Sequence, residues 1–167
     1  MSHIVIIDIQ ALKGNGNVLV CKELAVIALN EDRAKKFFFK PPYPWYMLDK
    51  KTKRENRWLQ QNYSFLNWED GEIDHGDLVN VLHYALKEAF IIYVKGIEKK
   101  KWLQEILDKR NILIIDLASI ECPSIKTLLK KEICFCHHLC ISDGPMCAEK
   151  NVEILKNWLL KSHFKTM

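Results

Sequence analysis

Hydrophobic and polar positions follow two successive patterns along the chain. Ile4 to Ile9 is an almost unbroken β-branched run, the pattern of a strand buried on both faces, and it predicts a central strand that presents Asp8 and Gln10 at its end. Gly14-Asn15-Gly16-Asn17 predicts a hairpin, because glycine and asparagine tolerate positive φ. Val18 to Leu29 then supplies a second strand and Phe37 to Phe39 a third. Three prolines in Lys40-Pro41-Pro42-Tyr43-Pro44 exclude further ladder pairing, since proline has no N–H to donate. The opening forty residues therefore read as an antiparallel meander.

The pattern then changes period. Asp49 to Gln61 suits a basic helix with Trp58 and Leu59 turned inward, and a clearer helix is predicted from Asp77 to Phe90, capped by Asp77, with Leu78, Leu82, Ala85 and Ala89 on one stripe. Ile91 to Val94, Glu98 to Lys109 and Ile112 to Leu117 read as strand, helix and strand, a βαβ unit. Trp102, Leu103, Ile106 and Leu107 form the inward side of that helix. Cys122-Pro123-Ser124 starts a short helix capped by Ser124. A last helix, Ala148 to Lys161, points Val152, Leu155 and Leu159 inward with Trp158 at the edge. The fold class predicted is α/β: a mixed sheet of three antiparallel strands followed by βαβ, flanked by helices, in a single domain over 1–167.

Composition narrows the classes. The chain has 167 residues, 49% hydrophobic and 28% charged, enough for one sizeable core, and no run approaches the ~20 apolar residues that span a bilayer. No membrane partner is expected. The start, Met1-Ser2-His3-Ile4, reads as lacking a basic leader, which implies an intracellular location, cytoplasmic or nuclear, where six cysteines are thiols or metal ligands before they are disulfides. Four of those cysteines fall in Cys134-Phe-Cys136-His137-His138-Leu-Cys140 and Cys147. Thiolates and imidazoles so clustered suit zinc. Their spacing is not the paired Cys-x-x-Cys of a zinc ribbon, so at least one ligand is expected from elsewhere; buried reduced thiols are the plainer alternative. The net charge of +4 is mild, but Lys50, Lys51, Lys53, Arg54 and Arg57 form one basic block and Lys99, Lys100 and Lys101 lie in another, both suited to phosphates.

The order of elements resembles the RNase H-like fold in its DEDD exonuclease form. Asp8-Ile9-Gln10 stands where those enzymes carry Asp-x-Glu, Tyr93 to Leu103 resembles the strand and helix start bearing the next aspartate, and Cys147 to Val152 resembles the final helix start bearing the last. The resemblance implies catalytic carboxylates at Asp8, Gln10, Lys99 and Asn151, of which this chain keeps only Asp8. Glu98 is the nearest substitute for Lys99. Two-metal chemistry holds its cations about 4 Å apart between carboxylates, and amides and a lysine do not serve, so an ordinary exonuclease is not expected. A narrower resemblance is to the Maelstrom domain of the germline small-RNA (piRNA) pathway, which lacks those carboxylates and carries a Glu-His-His-Cys zinc constellation. It implies one structural zinc on His75, His137 and Cys147. Its fourth place is open to Asp8, Cys134 or Cys136, with His138 competing with His137.

That resemblance implies binding of single-stranded RNA in gene silencing, with endonuclease cleavage independent of the two-metal centre as an accompanying activity. Lys50, Lys51, Lys53, Arg54, Arg57, Lys99, Lys100 and Lys101 would meet phosphates, and Tyr43, Trp45 and Tyr46 would offer rings to bases. The competing expectation is a pseudo-nuclease scaffold that docks proteins through the Pro41–Tyr46 loop. An active exonuclease using Asp8, Glu98 and Asp116 ranks last.

Overall fold

The computed structural model describes residues 3–129 and 147–164. Strands β1 (Ile4–Gly14), β2 (Val18–Ala28) and β3 (Lys35–Phe38) form the meander, with a 3-10 turn at Asn15–Asn17 closing the first hairpin. After helix α1 (Lys50–Asn62) and helix α2 (Leu78–Ala85) come strand β4 (Ile91–Val94), helix α3 (Ile97–Ile106) and strand β5 (Leu113–Asp116). Helices α4 (Ile125–Leu129) and α5 (Ala148–His163) complete the described chain. One five-stranded mixed sheet results, in the order β3-β2-β1-β4-β5; β1 is antiparallel to β2 and parallel to β4. The α/β class with a mixed sheet flanked by helices is thus as expected.

β1 lies at the centre and its period of two divides the core. Val5, Ile7 and Ile9 face a cluster with Leu78, Leu82, Leu86, Leu103 and Leu107 of the α2 and α3 side. Ile6 belongs with Ala25, Ile27, Leu117, Val152, Leu155 and Leu159 on the α4 and α5 side. Farther along, Leu12 and Val20 meet Leu48 and Trp68 beneath α1. A register shift between Gln10 and Ala11 separates the buried polar section of β1 from its far end, as a bulge commonly does near a site.

Several boundaries depart from the sequence reading for local reasons. β1 runs five residues beyond Ile9 because Ala11 to Gly14 still pair with β2. α2 stops at Ala85, five residues before Phe90, where the Leu86 N–H closes the helix onto Leu82. Asp77 does not cap α2 through its side chain; it sits in helical conformation within a 3-10 turn, His75–Asp77. Trp58 is not inward but 60% exposed, while its neighbour Leu59 does reach the third cluster. Gly71 is required where it stands: at φ 143° an added Cβ would lie 2.3 Å from the Phe39 carbonyl carbon, blocking the close approach that lets Phe39 bridge to Ile73.

Candidate functional site

The parallel pairing of β1 with β4 ends at Ile7 and Val94, so Asp8 is the first side chain beyond it. The chain leaves β4 through Gly96, whose φ of 109° is open to glycine and strained for other residues. Its N–H donates to Asp116 Oδ1 at 2.9 Å. This turn sets the first turn of α3 beside β1. Lys99 Nζ then donates to Asp8 Oδ1 at 2.5 Å, and Asn151, from the first turn of α5, donates through Nδ2 to Asp8 Oδ2 at 2.8 Å. Gln10 Nε2 adds a longer contact to Oδ2 at 3.3 Å. The other three positions that the DEDD resemblance singled out, Gln10, Lys99 and Asn151, therefore converge on Asp8, which is fully buried.

Their chemistry differs from that of a two-metal centre. Two divalent cations bring four positive charges, while Asp8 offers one negative charge already matched by an ammonium. Burial works against the charge on Lys99, but the Asp8 carboxylate more than offsets it by charge and hydrogen bond, and holds the lysine above its ordinary pKa. Glu98 does not replace the missing carboxylate: its side chain is exposed and pairs with Lys13 at 3.0 Å. Asp116 is also committed, accepting from Gly96 N–H and Ala118 N–H. The donor set does not fit a magnesium pair.

Sequence reasoning missed Glu23. It stands opposite Gln10 on β2, is buried, and lies 3.9 Å through Oε1 from Cys147 Sγ. Burial pushes its carboxyl up to about 7, against the pull of the Ala148 N–H at the start of α5. The signal was present: Lys22-Glu23 places two charges inside an otherwise apolar strand. Lys22 is itself buried, donating through Nζ to the carbonyls of Trp68, at 2.7 Å, and Asp70.

Of the zinc ligands expected, Cys134, Cys136, His137 and His138 lie outside the described residues. His75 Nε2 is buried with no hydrogen-bond partner among the described residues, and burial, then the Lys22 charge, holds its imidazole below the usual pKa. A neutral ring with an unused nitrogen is the state in which histidine binds zinc. Among the described residues no three His, Cys, Asp or Glu side chains form a cluster able to hold a metal. Asp8, one of the residues named for the fourth place, has both carboxylate oxygens engaged by Lys99, Asn151 and Gln10.

The basic surface is more sharply drawn than the sequence implied. Five basic side chains against Glu55 leave α1 with +4, equal to the formal charge of the entire chain. Asp49 caps the helix by accepting from Thr52 N–H at 2.7 Å, and Thr52 and Asn56 face inward. Lys50, Lys51, Arg54, Arg57 and Trp58 consequently lie on the solvent side, with Lys53 half-buried. Tyr46, just before the helix, is 77% exposed. Tyr43 and Trp45, also expected to offer rings to bases, are half-buried. Both lie against the buried Trp68, with centroids 5.6 and 6.4 Å away, and Arg57 covers the Trp45 ring at 5.6 Å. Lys99 is likewise withdrawn from any phosphate by Asp8, whereas Lys101 is exposed. No described helix is long and apolar enough to cross a membrane.

No protein-family model matches this chain, and no curated protein matches its sequence.

Proposed function

We propose that this chain is an RNase H-like domain without two-metal exonuclease chemistry, related to Maelstrom domains, that binds single-stranded RNA through the outer face of α1. The observation that carries this reading is the concentration of the chain's net charge on α1, beside the exposed rings of Tyr46 and Trp58. Basic side chains that track a backbone, interleaved with aromatic rings on which bases stack, are what sequence-tolerant single-strand binding requires. The RNase H-like part is supported by the strand order around β1 and by the convergence of Gln10, Lys99 and Asn151 on Asp8. The Lys99–Asp8 pair argues against two-metal chemistry.

In this reading one structural zinc is held by His75 and Cys147, with histidine and cysteine from the 134–140 stretch. His75 Nε2, buried and without a hydrogen-bond partner among the described residues, supports it. The metal supplies cross-linking of the fold, and every contact to RNA belongs to α1 and its flanks. A scaffold reading is favoured by one feature: Pro42, Pro44 and Tyr46 are exposed on the segment before α1, a surface that a protein partner would use.

The test is a triple charge swap on α1, Lys50→Glu/Arg54→Glu/Arg57→Glu, compared with an equal swap at Lys87, Lys109 and Lys126. RNA binding lost in the first and kept in the second supports the assignment. Equal loss in both reduces the binding to bulk charge, and no binding by the unaltered protein leaves the scaffold reading.

A further inference from the structure

We infer that Lys99 is a tethered cation that takes the place of a divalent ion at Asp8, and that it suppresses a residual cation site formed by Asp8 with the side-chain oxygens of Gln10 and Asn151. The inference rests on the arrangement of this cluster and stands whether or not α1 binds RNA.

Asp8 is 0% exposed, and its three partners come from three directions: Gln10 along β1, Lys99 from α3 and Asn151 from α5. A buried carboxylate needs a positive partner or a proton. In this cluster only the Lys99 ammonium is positive, and its side chain, 25% exposed, closes the cluster from the solvent side. The two amides turn their N–H groups toward the carboxylate. Each also carries a carbonyl oxygen, which an amide rotation would present in place of its N–H. Two carbonyl oxygens and a carboxylate suit a hard cation, which prefers oxygen ligands and fills its remaining positions with water. With the ammonium on Oδ1, both amides donate to Oδ2 of the same carboxylate. The lysine and a metal are mutually exclusive occupants of one buried negative charge.

This has a consequence for the fold as well as for cation binding. One carboxylate ties β1 to both α3 and α5, so the charge that neutralises it also fastens helices on the two faces of the sheet. In a metal-dependent relative of this site, chelation would loosen that junction. Here the counter-ion is covalently part of the chain, and chelation leaves the junction intact.

The experiment is thermal unfolding of the full chain without added divalent metal and in excess Mn²⁺, with no chelator so that any zinc held elsewhere stays bound, for the unaltered protein, Lys99→Met, and Asp8→Asn/Lys99→Met. Wild type should melt at the same temperature in both conditions. Lys99→Met should melt several degrees lower than wild type without Mn²⁺ and recover part of the loss in Mn²⁺. The double variant, with neither charge, should melt above Lys99→Met without Mn²⁺ and ignore Mn²⁺. A wild type shifted by Mn²⁺ at Asp8, shown by loss of that shift in Asp8→Asn, overturns the inference, as does a Lys99→Met protein that Mn²⁺ does not stabilise. If Lys99→Met fails to fold without Mn²⁺, refolding in Mn²⁺ decides: recovery supports a suppressed site, and failure there contradicts it.

Discussion

Asn56 pairs with Lys13 as a neighbouring strand would: its Oδ1 accepts from the Lys13 N–H at 2.7 Å and its Nδ2 donates to the Lys13 carbonyl at 2.8 Å. One buried side chain thereby satisfies both backbone groups of a residue near the end of β1 and fixes α1 against the sheet. Because Asn56 faces in, Arg54, Arg57 and Trp58 face out. Asn56→Ala leaves that backbone N–H and carbonyl without their partner and should lower stability by about 1–3 kcal/mol. Urea unfolding measures it, and an unchanged midpoint would mean that α1 is held by its apolar contacts alone.

Trp58 and Tyr46 should contribute to RNA affinity without contributing to the core. Each ring is mostly exposed, so Trp58→Ala and Tyr46→Ala should leave the melting temperature nearly unchanged. Each should weaken binding of single-stranded RNA by about 1–3 kcal/mol if it carries a stacked base. Fluorescence anisotropy with a labelled oligonucleotide gives the affinity, and Tyr43→Phe serves as a control on a ring already engaged by Trp68. Full affinity in both alanine variants would place the RNA elsewhere.

The sheet and its helices were legible in the sequence because hydrophobic period is set by burial, which this fold obeys at β1, β2 and α5. Trp58 was misread because a large aromatic residue beside Leu59 suggests an apolar stripe, yet the inward face of α1 is held by Thr52 and Asn56, two polar residues that no hydrophobic count selects. Glu23 was missed because its meaning comes from Cys147, 124 positions away in the chain, and spacing alone does not carry such a relation. The Asp8 cluster was half legible. Resemblance named its four positions, and only the three-dimensional arrangement shows that lysine and amides converge on the carboxylate.

Lys22 gives a pH dependence whose sign is fixed. Burial, opposed by Asp70 and then Glu69, lowers its ammonium to about 8 from an ordinary 10.5. Between those values the unfolded chain holds the proton and the folded chain has released it, so this group makes stability rise as pH increases from about 8 toward 10.5. Unfolding of wild type and Lys22→Met across that range isolates the contribution, since the lost hydrogen bonds to Trp68 and Asp70 lower the variant at every pH. Parallel curves for the two proteins would show that Lys22 titrates normally.

The zinc proposal predicts that His75→Ala and Cys147→Ser each lose bound metal and melt at a lower temperature. Elemental analysis of the purified proteins is the measurement. One zinc per chain retained by both variants would remove these residues from the site, and no zinc in the unaltered protein would return the cysteines to the role of thiols.

The central claim is that α1 meets the phosphates of single-stranded RNA, and the salt dependence of that affinity tests it most directly. For a single strand the slope of log K against log salt is roughly −0.7 per phosphate contact, so four or five contacts from α1 give a slope of about −3. Arg54→Glu/Arg57→Glu should bring the slope toward −1.5 by removing two contacts, on the same per-contact value. A flat dependence in the unaltered protein, or a slope that this double variant leaves unchanged, would contradict the account.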